Sequence, residues 1–156
     1  MAKFSVVLPT DVINEFKRVY DNTEKIFGEM TKAGAQAALQ VAKSTAPPEI
    51  APYGKLTRTY RTPSDGGINT KVIFSGYIPF SDGRKSFKRR GRGGGKVYST
   101  TKGVPVDFLA ILYEYGRSTH PFPKRPFLRN AFNQSMIANA MLKAQKQASG
   151  GLLDDE

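Results

Sequence analysis

The sequence predicts an α+β domain, a long N-terminal helix and a C-terminal helix packed on a small antiparallel sheet. Two patterns carry this. Apolar residues recur at three-four spacing near both ends of the chain, as on one stripe of a helix. Between them lie short stretches rich in Thr, Tyr, Val and Ile, separated by Pro, Gly and Asp, as in strands joined by turns. The length of 156 residues suits a single domain, 1–156, large enough to bury a core without disulfides or metal.

The first stripe runs from Thr10 to Ala46 through Val12, Ile13, Phe16, Val19, Tyr20, Ile26, Phe27, Met30, Ala33, Ala37, Ala38 and Val41. Thr10 suits the cap and Asp11 the positive end of the helix dipole. Pro47-Pro48 stops the helix, since neither residue donates a helical hydrogen bond. Gly28 and Gly34 are candidate kinks, which leaves open a pair of helices end to end. Ahead of this stripe, the start of the chain, Met1 to Pro9, reads as mature protein forming a short strand. Its apolar stretch is too short for a signal peptide, and no apolar run approaches the ~20 residues that span a bilayer, so no membrane partner is expected.

Lys55 to Arg61 reads as a strand, Pro63 to Gly67 as a turn and Asn69 to Ile78 as a second strand, making a hairpin. From Ser81 to Lys96 the composition changes to Ser-Asp-Gly-Arg-Lys-Ser-Phe-Lys-Arg-Arg-Gly-Arg-Gly-Gly-Gly-Lys. With Phe87 as its one large apolar residue, this predicts a flexible basic loop. A strand resumes at Val97 to Thr101. Val106 to Tyr115 reads as a short helix opened by Asp107 and ended by Gly116. After a proline loop around His120, Pro126 stands at the first position of the last helix. Its inner face is Phe127, Leu128, Ala131, Phe132, Ser135, Ala138 and Leu142. Gly150-Gly151 ends it, and 150–156 forms a mobile acidic tail.

The chemistry that the residues offer is limited. There is no cysteine, which removes disulfides, thiolate metal sites and thiol nucleophiles and suits folding in a reducing cytoplasm. The single histidine, His120, has no second histidine or acidic pair near it in sequence and reads as an exposed loop residue. Glu114 follows an apolar stretch and is expected to be partly buried and paired with an arginine. Phosphate-loop, dinucleotide and nucleophilic-serine motifs are missing. No enzyme activity and no cofactor are therefore expected; a metal-dependent nuclease would need an acidic cluster that the sequence does not offer.

The formal net charge is +11, which favours polyanionic partners. Arg84, Lys85, Lys88, Arg89, Arg90, Arg92 and Lys96 form the dense part of that charge. They are candidates for contact with DNA phosphates or with an acidic protein, the glycines letting backbone approach closely. Phosphate contact of this kind carries no sequence information. A free, non-specific nucleic-acid-binding protein is the alternative reading of the whole chain.

The segment Leu112-Tyr113-Glu114-Tyr115-Gly116-Arg117, followed by Pro121-Phe122-Pro123-Lys124-Arg125-Pro126-Phe127-Leu128-Arg129-Asn130-Ala131-Phe132, resembles the tail-completion family of tailed phages, also called the neck or head–tail joining family. Thr45-Ala46-Pro47 and Gly54-Lys55-Leu56-Thr57-Arg58 match that family's earlier features in order. The insert Arg84 to Lys96 and the extra residues after Gly116 depart from its pattern. The resemblance implies a structural virion protein of the phage neck that joins the DNA-filled head to the tail. It further implies self-assembly into a ring of six copies or a multiple of six, with connector or stopper proteins and tail-tube or tail-terminator proteins as partners and DNA passing the channel. Assembly would take place in the host cytoplasm. The motif residues Glu114, Tyr115, Gly116, Pro121, Phe122, Pro123, Arg125, Pro126, Phe127, Leu128 and Arg129 become interface candidates, the prolines forming a stiff connector. An internal turn that holds the last helix against the sheet is the competing reading, favoured for Phe127 and Leu128. For Phe122 both stay open.

Overall fold

The computed structural model describes residues 10–90, 97–117 and 124–150. The expected N-terminal strand and acidic tail, His120, the proline segment Pro121-Phe122-Pro123, and Arg92 and Lys96 lie outside the described residues. The architecture is α+β, as the sequence predicts.

The N-terminal stripe forms two helices, α1 (Thr10–Asp21) and α2 (Thr23–Thr45). The division falls at Asn22, not at Gly28 or Gly34. The Asn22 side chain donates to the Arg18 carbonyl at 2.8 Å, the local bonding by which Asn competes with helix continuation. Gly34 has a different purpose: a Cβ there would lie 2.8 Å from Met141 Cγ and 3.1 Å from Ile137 Cγ2. Here α2 and the last helix approach closely. Helix α2 is covered by that helix and by strands, so its buried set includes Ala35, Leu39 and Ala42, which a single stripe does not predict. The Pro47-Pro48 stop holds: α2 ends at Thr45, and Ala46 is extended with ψ of 150°.

The hairpin is present but bent. Strand β1 (Gly54–Leu56) leads to β2 (Tyr60–Arg61), and β3 (Ile68–Asn69) leads to β4 (Val72–Phe74). The pairs are antiparallel, with Gly54 opposite Phe74 and Tyr60 opposite Asn69. Between them the Thr57 N–H donates to the Lys71 carbonyl at 2.9 Å and the Thr57 hydroxyl accepts from the Lys71 N–H at 2.9 Å. A side chain thus continues the ladder where the backbone bends. The predicted second strand does not run on to Ile78. It divides at Gly76, where φ is 141°, and β5 (Tyr77–Ile78) pairs instead with β8 (Val104–Pro105), a strand too short for pattern reading.

The expectation of a flexible loop over 81–96 is corrected for residues 87–90, while 91–96 lie outside the described residues. Phe87–Arg90 is a strand, β6, antiparallel to β7 (Val97–Thr100), with Phe87 opposite Thr100 and Arg90 opposite Val97. Its anchor is the one aromatic residue that composition discounted: the Phe87 ring stands 5.3 Å from that of Phe108. The described strands form four two-stranded pairings, where one small sheet was expected.

Helix α3 (Val106–Tyr115) follows, with Asp107 in its first turn and Gly116 at its end. The last helix is interrupted, with α4 (Leu128–Ala131) and α5 (Gln134–Ser149) separated at Phe132–Asn133. Pro126 precedes α4 instead of opening it. Asn133 caps α5, its Oδ1 accepting the Met136 N–H at 3.1 Å. This restart shifts the helical phase. Phe132 and Leu142, predicted inward, are more than half exposed, Ser135 and Ala138 are exposed as well, and α5 turns Ile137 and Met141 toward Gly34 of α2. The core gathers Ala42, Ile50, Phe74, Val106, Ala110, Phe127 and Ala131. Phe74 and Phe127 meet edge to face at 5.1 Å, the arrangement aromatic quadrupoles favour.

Candidate functional site

The two halves of the C-terminal motif meet as one unit through Glu114 and Leu128, 14 residues apart in sequence. Helix α3 is amphipathic enough to bury Val106 and Ala110, which places Glu114, one turn beyond Ala110, on the inner side. Glu114 is 6% exposed. Its carboxylate accepts the Leu128 N–H at 3.1 Å and the Arg129 N–H at 3.2 Å. These are donors at the start of α4, which have no partner within the helix. The carboxylate therefore caps α4 from a distance. Arg129 Nε lies 3.6 Å from Glu114 Oε1, so the expectation of a buried glutamate paired with an arginine is met. The Arg129 guanidinium also stands over the Tyr115 ring at 5.6 Å.

Further contacts fasten the same unit. The Arg125 N–H donates to the Tyr113 carbonyl at 2.8 Å, and the Gly116 N–H to the Leu112 carbonyl at 2.7 Å. Gly116 has φ of 75°, a left-handed turn that ends α3. The Tyr113 hydroxyl donates to the Glu49 carboxylate in the turn after α2. Burial first, then the bond to Glu49, pushes the Tyr113 hydroxyl up to about 12.

The motif residues thus divide. Phe127 is 1% exposed and belongs to the core, so it is no surface anchor. Leu128 is half-buried against it, and Pro126 is half-buried. Tyr115, Arg125 and Arg129 are exposed. Tyr115, Ile111 and Phe132, each more than half exposed, border an open groove of about 740 Å³ between α3 and α4, floored by Ile73 and Phe74. Asp107 and Arg129 lie at its margin. Neither the groove nor the remote capping by Glu114 is readable from local sequence, since both depend on how α3 and α4 meet.

The basic residues form a second feature. Arg84 is engaged by Asp82, their side chains 2.5 Å apart, and that hydrogen bond holds the Asp82 carboxyl below its ordinary range. Lys85 and Lys88 are exposed, and Lys88, Arg89 and Arg90 occupy consecutive positions on β6, opposite Ser99, Tyr98 and Val97. The ribbon and the α3–α4 unit are linked through Phe87 and Phe108.

Among the described residues no group of three or more His, Cys, Asp or Glu is placed to hold a metal ion, and no helix is long and apolar enough to cross a membrane. Comparison with protein-family models, curated proteins and solved structures finds no match.

Proposed function

We propose that this chain is a structural virion protein of the phage neck or tail-completion region, one that joins the DNA-filled head to the tail. Its work is assembly, not catalysis. Several copies form a ring by head-to-tail contacts whose rotation closes, and the ring presents one surface to the connector or stopper and another to the tail tube or its terminator.

The observation that supports this reading is the union of the two motif halves. The resemblance rests on Leu112 to Arg117 and on Pro121 to Phe132, and Glu114 joins the two stretches with bonds to the Leu128 and Arg129 N–H groups. A resemblance between unrelated stretches would not require the glutamate of one to cap the helix of the other. The unit also leaves Tyr115 and Arg129 together on the surface, residue types enriched where proteins dock.

Electron microscopy of a phage lysate in which this gene carries an early stop codon tests the proposal. Separate DNA-filled heads and finished tails are the expected outcome. Abnormally long tails would reassign the chain to ending tail growth, and intact infectious particles would overturn the proposal.

A further inference from the structure

The charge of this protein is not spread over its surface. Between Gly83 and Val106 stand eight Lys or Arg and no Asp or Glu, while the rest of the chain has sixteen against thirteen. Most of the net +11 therefore belongs to one segment, and that segment is the β6–β7 ribbon with its flanks. Ordinary solvated charge alternates in sign or pairs with neighbours. Among the described side chains of this segment, Arg84 has a carboxylate beside it, from Asp82.

We propose that the β6–β7 ribbon is a binding element for the phosphate backbone of double-stranded DNA, without base specificity. Three arguments lead there. First, spacing: alternate positions on a strand share a face and lie ~6.6 Å apart, and Lys88-Arg89-Arg90 fills three successive positions with cations. Duplex DNA carries one phosphate charge per ~1.7 Å of axis, so cations at that spacing along one face each find a phosphate. Second, shape: a two-stranded antiparallel ribbon is one of the two protein elements that enter the major groove, and this ribbon is a separate pair, bonded to no third strand among the described residues. Third, what the ribbon offers: a protein partner is usually held around a buried apolar centre, whereas Phe87 is turned inward onto Phe108 and Lys85 and Lys88 are exposed. A polymer of charge is the partner that such a surface suits.

This inference does not rest on the joining role, and its test needs only the full-length purified protein. Fluorescence anisotropy of two labelled duplexes of equal length and unrelated sequence would be measured from about 50 to 200 mM salt, the range over which counterion release is pronounced. Both duplexes should bind alike, with log K falling against log salt at roughly −0.9 for each phosphate contacted, so a slope of about −4 or steeper for the ribbon. The variant K85S/K88S/R89S/R90S should bind at least a hundredfold more weakly, by order of magnitude, with a slope nearer zero by about 3.6. Exchange of Arg89 and Arg90 for Lys retains charge and should retain the slope, which separates charge from fold. K17S/K25S/K32S/K143S removes the same charge from exposed helix positions and should leave the slope in place. A weak or salt-insensitive interaction, an equal loss in this second variant, or tighter binding to polyglutamate than to the duplex would each overturn the proposal.

Discussion

Glu114 shows what a single residue decides here. Its carboxylate satisfies two backbone donors at the start of α4 and the side chain of Arg129. Glu114→Ala strands those donors in a partly buried place. Hydrogen bonds to a charged group contribute about 1.5–3 kcal/mol each, and part of that returns as water enters. A loss of about 2–4 kcal/mol is expected, read as a lower urea midpoint, with Glu114→Gln in between because one amide oxygen still accepts. A midpoint unchanged in the alanine variant would show that α4 is capped by other means. Tyr113 supplies a pH test. Its hydroxyl is pushed up to about 12, above the ordinary ~10 of the unfolded chain. The folded state retains the proton over that window while the unfolded state releases it. The contribution is therefore entire below pH ~10 and is lost as pH rises toward about 12. Tyr113→Phe cannot ionise, so the stability gap between wild type and variant should move in the variant's favour between pH ~9 and ~11.5, measured by urea unfolding at both. A constant gap would contradict the burial of this hydroxyl.

At the scale of elements, two glycines carry constraints that pattern reading cannot assign. Gly34 lets α2 and α5 approach, since any Cβ meets Met141 and Ile137. Gly34→Val should cost about 1–3 kcal/mol by forcing the helices apart, whereas a helix kink at this position would tolerate the change. Gly103 turns the chain into β8 with φ of 132°, and a Cβ would stand 2.2 Å from the Ile78 carbonyl oxygen. Gly103→Ala should lower the thermal midpoint by several degrees, the equivalent of about 1–3 kcal/mol of backbone strain. The elements whose existence was legible are those with local signals: the stop at Pro47-Pro48, the hairpin turn at Pro63 to Gly67, and α3 between Asp107 and Gly116. The errors share one cause. Where a tertiary contact resets the local preference, as the Asn133 cap does for α5 or the Phe108 ring does for β6, the pattern alone leads to the wrong phase or to a loop. The candidate site follows the same division. Buried Glu114 with an arginine partner was legible from its place after an apolar run. That it caps α4, and that Phe127 is core while Tyr115 is surface, depends on contacts between α3, α4 and β4.

At the scale of the molecule, stability and charge are both unevenly placed. The buried hydrophobic side chains run from Ile26 along α2 to Ala131, and among the described residues none belongs to α1. On α1, Phe16 and Tyr20 are 68% and 81% exposed, although the residues repeat at helical spacing. A helix of 12 residues is too short to be stable in water on propensity alone. It follows that α1 opens without disturbing the core, and that mutations in the two regions differ in kind. Phe16→Ser should leave the unfolding midpoint within about 0.5 kcal/mol of wild type, as surface changes do. Phe127→Ala, which opens a void against Phe74, should cost about 3–5 kcal/mol. Amide hydrogen exchange reads the same division directly. Amides of α1 should exchange through local opening, orders of magnitude faster than those of Ala35 to Ala42, which require opening of the core. Equal protection in the isolated protein would mean that the apolar face of α1 is covered in solution. The stable part of the fold would then begin at Thr10 and not at Thr23.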